Sequence, residues 1–242
     1  MTARRASGRR GGRPGGHPRV LGLTGSIGMG KSTAAGMLRR LGVPVHDADA
    51  AVHRLMAKGG AAVPAIEAAF PGVVVEGRVD RRRLGARVFA DPAALRRLEA
   101  ILHPRVRAAA RRFVERHARR RVPLICLDIP LLFETGGEAQ CDAVAVVTAP
   151  SWLQRQRVLR RPGMTEDKFR QILAQQLPDA EKRRRAQFVV QTGLGKRDTL
   201  RQLRSIVRQM EASPCGKSSS TRKPRASTRT AATASSRSAA SS

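Results

Sequence analysis

The chain contains no tyrosine, one tryptophan and six phenylalanines, so aromatics make up 3% of its 242 residues. Proteins that hold RNA or single strands by stacking bases on aromatic side chains need more of them than this. Cysteine is scarce as well: Cys126, Cys141 and Cys215 are too few and too scattered for a disulfide framework or a zinc ligand set. A reducing cytoplasm fits that usage. No apolar run approaches the roughly 18–20 residues that cross a bilayer. The best, Val122–Leu127 and Ala143–Val147, are strand-length, which argues against a membrane-spanning helix and against a membrane partner. Acidic residues are the remaining shortage, 18 against 47 Lys+Arg, for a formal net charge of +29 at pH 7.

That charge is unevenly spread. Residues 1–19 hold six arginines and no acid, and residues 212–242 hold six Lys/Arg and no acid. The first stretch is rich in Gly, Arg and Pro and the second is low-complexity Ser/Thr/Ala/Arg, so both are expected to be disordered tails. Two readings of the N-terminal stretch stay open, a native tail and an extension from a misplaced start. A weak, salt-sensitive affinity for RNA would be a side property of the tails; no specific nucleic-acid partner is expected. The basic body suits an anionic small ligand, and with 41% of the chain apolar a core is assured.

Between the tails, short apolar runs alternate with helical patterns. Val20–Thr24 reads as a strand, followed by a glycine-rich turn and a helix over Thr33–Leu41 closed by Gly42. Val43–His46 reads as a second strand, and Asp47-Ala48-Asp49 leads into a helix to about Met56. Residues 60–121 have helical patterns broken by prolines and little strand signal, with helices expected over Val63–Phe70, Asp91–Leu102 and Pro104–Arg119, the last two abutting at a break at His103-Pro104. Val122–Ile129 and Ala143–Thr148 have the unbroken apolar character of strands in a parallel sheet. Basic helices are expected over Trp152–Arg160, Thr165–Gln176 and Pro178–Arg185, then a last strand at Phe188–Gln191 and a helix over Asp198–Met210. Strands alternating with helices predict a parallel α/β sheet.

Gly25-Ser26-Ile27-Gly28-Met29-Gly30-Lys31-Ser32 satisfies G-x-x-x-x-G-K-[ST], the P-loop pattern, with a strand before it and a helix after. Its glycines let consecutive N–H groups point into a cavity, and the helix beginning near Lys31 adds its positive end. Lys31 is the cation for the β- and γ-phosphates of a nucleoside triphosphate, the Ser32 hydroxyl is a hard oxygen ligand for Mg²⁺, and Thr33 is placed for a further phosphate oxygen; the motif alone does not separate kinases from GTPases, motor ATPases or transporters. Asp47 and Asp49 follow the second strand, where a carboxylate can orient or deprotonate a hydroxyl attacking a γ-phosphate. The alternative, that one of them only caps the helix, stays open. Asp128 ends the third apolar run, either as an Mg²⁺ ligand or as a turn residue. His103 is a substrate contact or a helix–helix turn. Arg157 and Arg161 share a helical face on which they clamp phosphates or simply meet solvent.

Taken together, these residues resemble the dephospho-coenzyme A kinase family of P-loop kinases. Leu23–Thr33 is similar to its opening motif and Asp47-Ala48-Asp49 to its DAD element. Val79-Asp80-Arg81, Leu84, Arg87-Val88-Phe89 and Leu98-Glu99 through His103-Pro104 are similar to its substrate segment, Pro130–Glu134 to its PLL-x-E stretch, and Arg157, Arg161 and Gln171–Gln176 to its lid. The resemblance runs from about Val20 to Met210. It implies a P-loop NTPase-type five-stranded parallel sheet (residues 20–56, 122–150 and 186–211), a helical part that binds CoA (57–121) and a lid (about 151–185). The implied reaction is ATP- and Mg²⁺-dependent phosphorylation of the ribose 3′-hydroxyl of dephospho-CoA, in the cytoplasm. On this resemblance Asp49, Asp47 and Lys31 are catalytic. Gly28, Met29, Gly30, Lys31, Ser32, Thr33, Arg157 and Arg161 bind ATP; Asp49, Arg87 and His103 bind substrate; Ser32 and Asp128 hold the metal. A monomer is the default expectation. The chain departs from the family pattern at Gln187 and Gln191, which bears on contacts to the nucleotide base. A nucleoside or nucleotide kinase is the competing assignment within the fold, and the DAD and His103-Pro104 elements count against it.

Overall fold

The computed structural model describes residues 17–88 and 91–212. The expected tails, Phe89 and Cys215 therefore lie outside the described residues, apart from the segment joining each tail to the body. In chain order the elements are β1 (Arg19–Thr24), α1 (Lys31–Arg40), β2 (Val45–Asp47), α2 (Ala48–Met56), α3 (Val63–Ala69), β3 (Val74–Val75), β4 (Arg78–Val79), α4 (Arg81–Val88) and α5 (Pro92–Arg119). They continue with β5 (Leu124–Asp128), a 3₁₀ turn at Gly137–Gln140, β6 (Ala143–Thr148), α6 (Ser151–Leu159), α7 (Glu166–Ala174), α8 (Asp179–Arg185), β7 (Phe188–Gln191) and α9 (Lys196–Ala212).

Five strands form one sheet in the order β2-β5-β1-β6-β7, every pair parallel. A parallel sheet is covered on both faces, which is why β5 and β6 are buried along their whole length. On one face Leu21, Leu23, Leu124, Cys126, Ala145 and Val147 meet Met37 and Leu38 of α1 and Leu203 and Ile206 of α9. On the other, Ile125 and Leu127 meet Phe113 and Val114 of α5, while Val144 and Val146 meet Leu132 and Phe133. A separate core in the stretch between β2 and β5 joins Leu55, Ile66, Phe70, Val79, Leu84 and Leu98. Among the described residues no helix is long and apolar enough to cross a membrane.

Two expectations need correcting. The break at His103-Pro104 does not occur, because α5 is one helix of 28 residues with Pro104 inside it. Its N-terminal half buries Ala94 and Leu98 in the second core, and Phe113 and Val114 from its C-terminal half pack on the sheet. That two-ended packing outweighs the roughly 3 kcal/mol that an internal proline costs. The Arg105 guanidinium also donates to the Ile101 carbonyl, 2.6 Å away, one turn back. The second correction concerns the same region, where β3 and β4 form a small antiparallel hairpin. Its two-residue turn, Glu76 and Gly77, has φ of 51° and 76°, the backbone that Xaa-Gly hairpin turns require.

The sheet delivers the site by geometry. In an open parallel sheet the ligand crevice lies beyond the C-terminal strand ends. Thr24, Asp47, Asp128 and Thr148 all stand there. Gln187 stands at the opposite end, where its Oε1 accepts the Val144 N–H at 2.7 Å, so this departure from the family pattern stitches the sheet rather than facing the crevice. Gln191 lies at the crevice end, but its N–H and carbonyl are both held by Gln202 of α9.

Candidate active site

The loop after β1 turns on Gly28 and Gly30, with φ of 77° and 91°. No side chain caps the start of α1, and the first helical bond runs from Ala34 N–H to the Gly30 carbonyl. The free N–H groups and positive helix end are the elements of an anion site. Lysine, serine and threonine at 31–33 line the adjoining cavity of about 840 Å³ with Gly25, Gly28 and Gly30.

Distant residues hold the loop in shape. Ile27 donates its N–H to Gln176 Oε1 at 3.0 Å and accepts from Gln154 Nε2 at 2.8 Å. Thr192 Oγ1 donates to the Met29 carbonyl at 2.7 Å. Arg157 reaches the Thr192 carbonyl at 3.0 Å and its hydroxyl at 3.1 Å. Gly28 is confined as well as twisted: a Cβ there would sit 2.6 Å from Val158 Cγ2 and 3.0 Å from the Gln154 carbonyl. Gly28→Ala is therefore expected to lower stability by about 1–3 kcal/mol from strain and overpacking, read as a lower urea midpoint at unchanged slope.

Lys31 Nζ pairs with Asp128 Oδ1 at 2.7 Å. Asp128 is 3% exposed at the end of β5. Burial holds its carboxyl above the usual aspartate value; Lys31 opposes that, while Asp47 and Asp49 add to it. Among the described residues no group of three or more His, Cys, Asp or Glu could hold a metal ion. The hard oxygens of Ser32 and Asp128 fit a divalent cation whose other ligands come from a nucleotide and water, as Mg²⁺ prefers.

A second cavity of about 360 Å³ opens between α2, α5 and the loop after β5, lined by His46, Glu99, His103, Arg107 and many apolar side chains. Asp49 and Pro130 line both cavities. Asp49 lies in the first turn of α2, and Asp47 is that helix's cap, with Oδ1 accepting the Ala50 N–H at 2.9 Å.

Of the residues singled out from the sequence, Gly28, Gly30, Lys31, Ser32, Thr33, Asp49, Arg157 and Arg161 converge on the first cavity, and His103 lies in the second. Four line neither cavity; of these Asp128 stays tied to the first through its ion pair with Lys31 at 2.7 Å. Met29 is a core residue whose Sδ accepts the Ala149 N–H and whose own N–H is bonded to Ser26 O. Asp47 lines neither cavity. Arg87 is exposed on α4, which turns Leu84 and Val88 to the second core instead. Sequence reasoning missed Thr192, Lys196 and Trp152 in the first cavity and Arg107 in the second. Arg107 and Glu99 stand one helical turn either side of His103, a spacing that an unbroken helix reveals.

The comparisons with known proteins agree with this geometry. The family model for dephospho-CoA kinase matches residues 19–196. A dephospho-CoA kinase of Paramagnetospirillum magneticum is 68% identical over 165 residues, covering 68% of this chain and 78% of that protein. One from Rhodospirillum rubrum is 60% identical over 188 residues, covering 77% and 89%. The crystal structure of TT1252 from Thermus thermophilus superposes with a TM-score of 0.69 at 39% identity, covering 80% of this chain and 98% of that one. With the P-loop, the DAD carboxylates and the paired cavities in place, the chain belongs to the dephospho-CoA kinase family.

Proposed function

We propose that the chain transfers the γ-phosphoryl group of ATP to the ribose 3′-hydroxyl of dephospho-CoA, giving coenzyme A and ADP, with Asp49 acting on the acceptor. The observation that carries this reading is that Asp49 lines both the P-loop cavity and its neighbour. A carboxylate there can face a hydroxyl from one side while the γ-phosphate lies on the other.

The P-loop amides and the start of α1 bind the phosphate chain. Lys31 releases Asp128 to meet the β- and γ-phosphate oxygens, and Arg157 and Arg161 add positive charge from the lid. Ser32 and Asp128 would hold Mg²⁺, which neutralises phosphate charge when bound. Asp49 takes the 3′-hydroxyl proton as the ribose oxygen bonds to the γ-phosphorus and the bond to the ADP oxygen breaks. Phosphoryl transfer asks for positioning and charge stabilisation more than covalent help, and the lid closing over the cavity excludes water from competing. His103, Glu99 and Arg107 hold the acceptor from α5, so residues 57–121 serve the acceptor and about 151–185 the donor. The chain acts in the cytoplasm, a reading supported by the free thiols of Cys126 and Cys141, and as a monomer.

An ADP-release assay with MgATP and a panel of acceptors tests the reading. Release is expected with dephospho-CoA and at background with adenosine or with no acceptor. Equal release with adenosine, or release independent of acceptor, overturns it.

A further inference from the structure

His46 stands on β2 between the sheet and the second cavity. The residue lines that cavity and is 5% exposed, and its ring lies against Phe113 of α5 with centroids 5.2 Å apart. Phe113 in turn meets His117 at 4.3 Å. The His46 Nε2 atom is buried and makes no hydrogen bond among the described residues. Buried polar atoms are almost always paired, and an apolar ring of the same size would fill this place without the desolvation cost. Glu138, Asp179 and Lys182 also carry a buried atom without a hydrogen bond, but none of them lines either cavity. His46 is thus a residue of the cavity wall that carries an unpaired ring nitrogen, one covered by its surroundings in this structure.

The surroundings narrow what that is. Leu98, Leu102, Val106, Ala110, Val52 and Ile129 make the walls apolar, which suits a flat heteroaromatic ring. Burial first, then Arg54, holds the imidazole below the usual histidine value against the opposing pull of Asp47. The ring is therefore neutral at pH 7, with one nitrogen donating and the other accepting. Asp49, three residues along the chain, borders the same cavity, so a nucleoside whose ribose meets Asp49 has its base within the same enclosure.

We propose that His46 is a specificity-determining residue for the acceptor, its imidazole pairing with the polar edge of the acceptor's purine base. This rests on the kinase reading above. No charge or bond changes hands; the residue selects the acceptor and leaves the transfer step alone.

The test compares dephospho-CoA with an analogue carrying benzimidazole in place of adenine, which keeps the two-ring shape and the five-membered ring's nitrogens and removes N1, N3 and the 6-amino group. In the wild type the analogue is expected to show a KM about 10-fold higher, the effect of one buried hydrogen bond. His46→Phe, which keeps the tilted ring contact with Phe113, is expected to raise the dephospho-CoA KM about 10-fold while leaving that of the analogue within about twofold. The kcat and the KM for ATP stay within about twofold, and His46→Gln recovers part of the discrimination. His46→Leu repeats the comparison if the phenylalanine variant does not fold. Equal penalties on both acceptors, an unchanged dephospho-CoA KM, or a fall confined to kcat overturns the proposal. A wild-type chain that phosphorylates neither acceptor takes down the kinase reading, and this assignment with it.

Discussion

Asp49→Asn is expected to lower kcat with dephospho-CoA by about 10²–10⁴-fold, the range a positioned general base contributes, with the KM for ATP shifted less than about threefold. Asparagine matches aspartate in size, and the cap of α2 belongs to Asp47 rather than Asp49, so the helix keeps its start. What is lost is the carboxylate at the border of the two cavities. Asp47→Ala makes the contrast. It removes the acceptor of the Ala50 N–H and should cost about 1 kcal/mol of stability, with turnover kept within a few-fold. Steady-state kinetics beside thermal melts separate the two carboxylates. Turnover lost in the Asp47 variant and kept in the Asp49 variant would reverse their roles.

Lys182→Met is expected to have the largest effect on stability. Lys182 is 0% exposed, and its Nζ lies 2.8 Å from Glu134 Oε1, an ion contact rather than a straight hydrogen bond. Glu134 also accepts the Leu177 N–H at 2.8 Å, so the pair fastens the loop after β5 to the segment entering α8. Removing one member of a buried pair costs about 3–5 kcal/mol. Because Glu134 keeps some contact with solvent, the lower end applies, and a fall in Tm of about 6–12 °C follows. Burial pushes the Glu134 carboxyl up, but Lys182 and the Leu177 N–H more than offset it and hold it below the usual glutamate value. A carboxyl depressed in the folded state stabilises above its ordinary value, and that contribution fades as pH falls through the folded one. The gap between wild type and Lys182→Met should therefore be full at pH 6–7 and narrow below about pH 4.5. A Lys182→Met/Glu134→Leu double variant recovers part of the loss. A gap under about 1 kcal/mol, or one that widens in acid, contradicts the assignment.

The nucleotide half of the site was legible because it is written locally. The P-loop is eight consecutive residues whose spacing carries its own chemistry, and β5 and β6 announce themselves as short apolar runs because both sheet faces are covered. What escaped is set by tertiary structure. Gln176 grips Ile27 from 149 residues away, and nothing near either residue signals the contact. Asp47 and Asp49 both suit catalysis by type and place, and only the direction in which α2 starts makes one a cap and the other a cavity residue. Met29 sits inside the motif, yet its side chain belongs to the core because the loop turns it inward. Pro104 reads as a helix breaker until the two cores that α5 joins are seen. The β3–β4 hairpin had a signal, Val74-Val75-Glu76-Gly77-Arg78-Val79, but strands of two residues fall below the length at which alternation can be read.

The most direct test of the account is phosphorus NMR of the product formed from dephospho-CoA and MgATP. A new monoester resonance coupled to the ribose 3′ position, appearing in step with ADP and absent with Asp49→Asn, is the predicted result. ATP consumed to ADP and inorganic phosphate with the ribose unmodified, or phosphate placed at another hydroxyl, would contradict it.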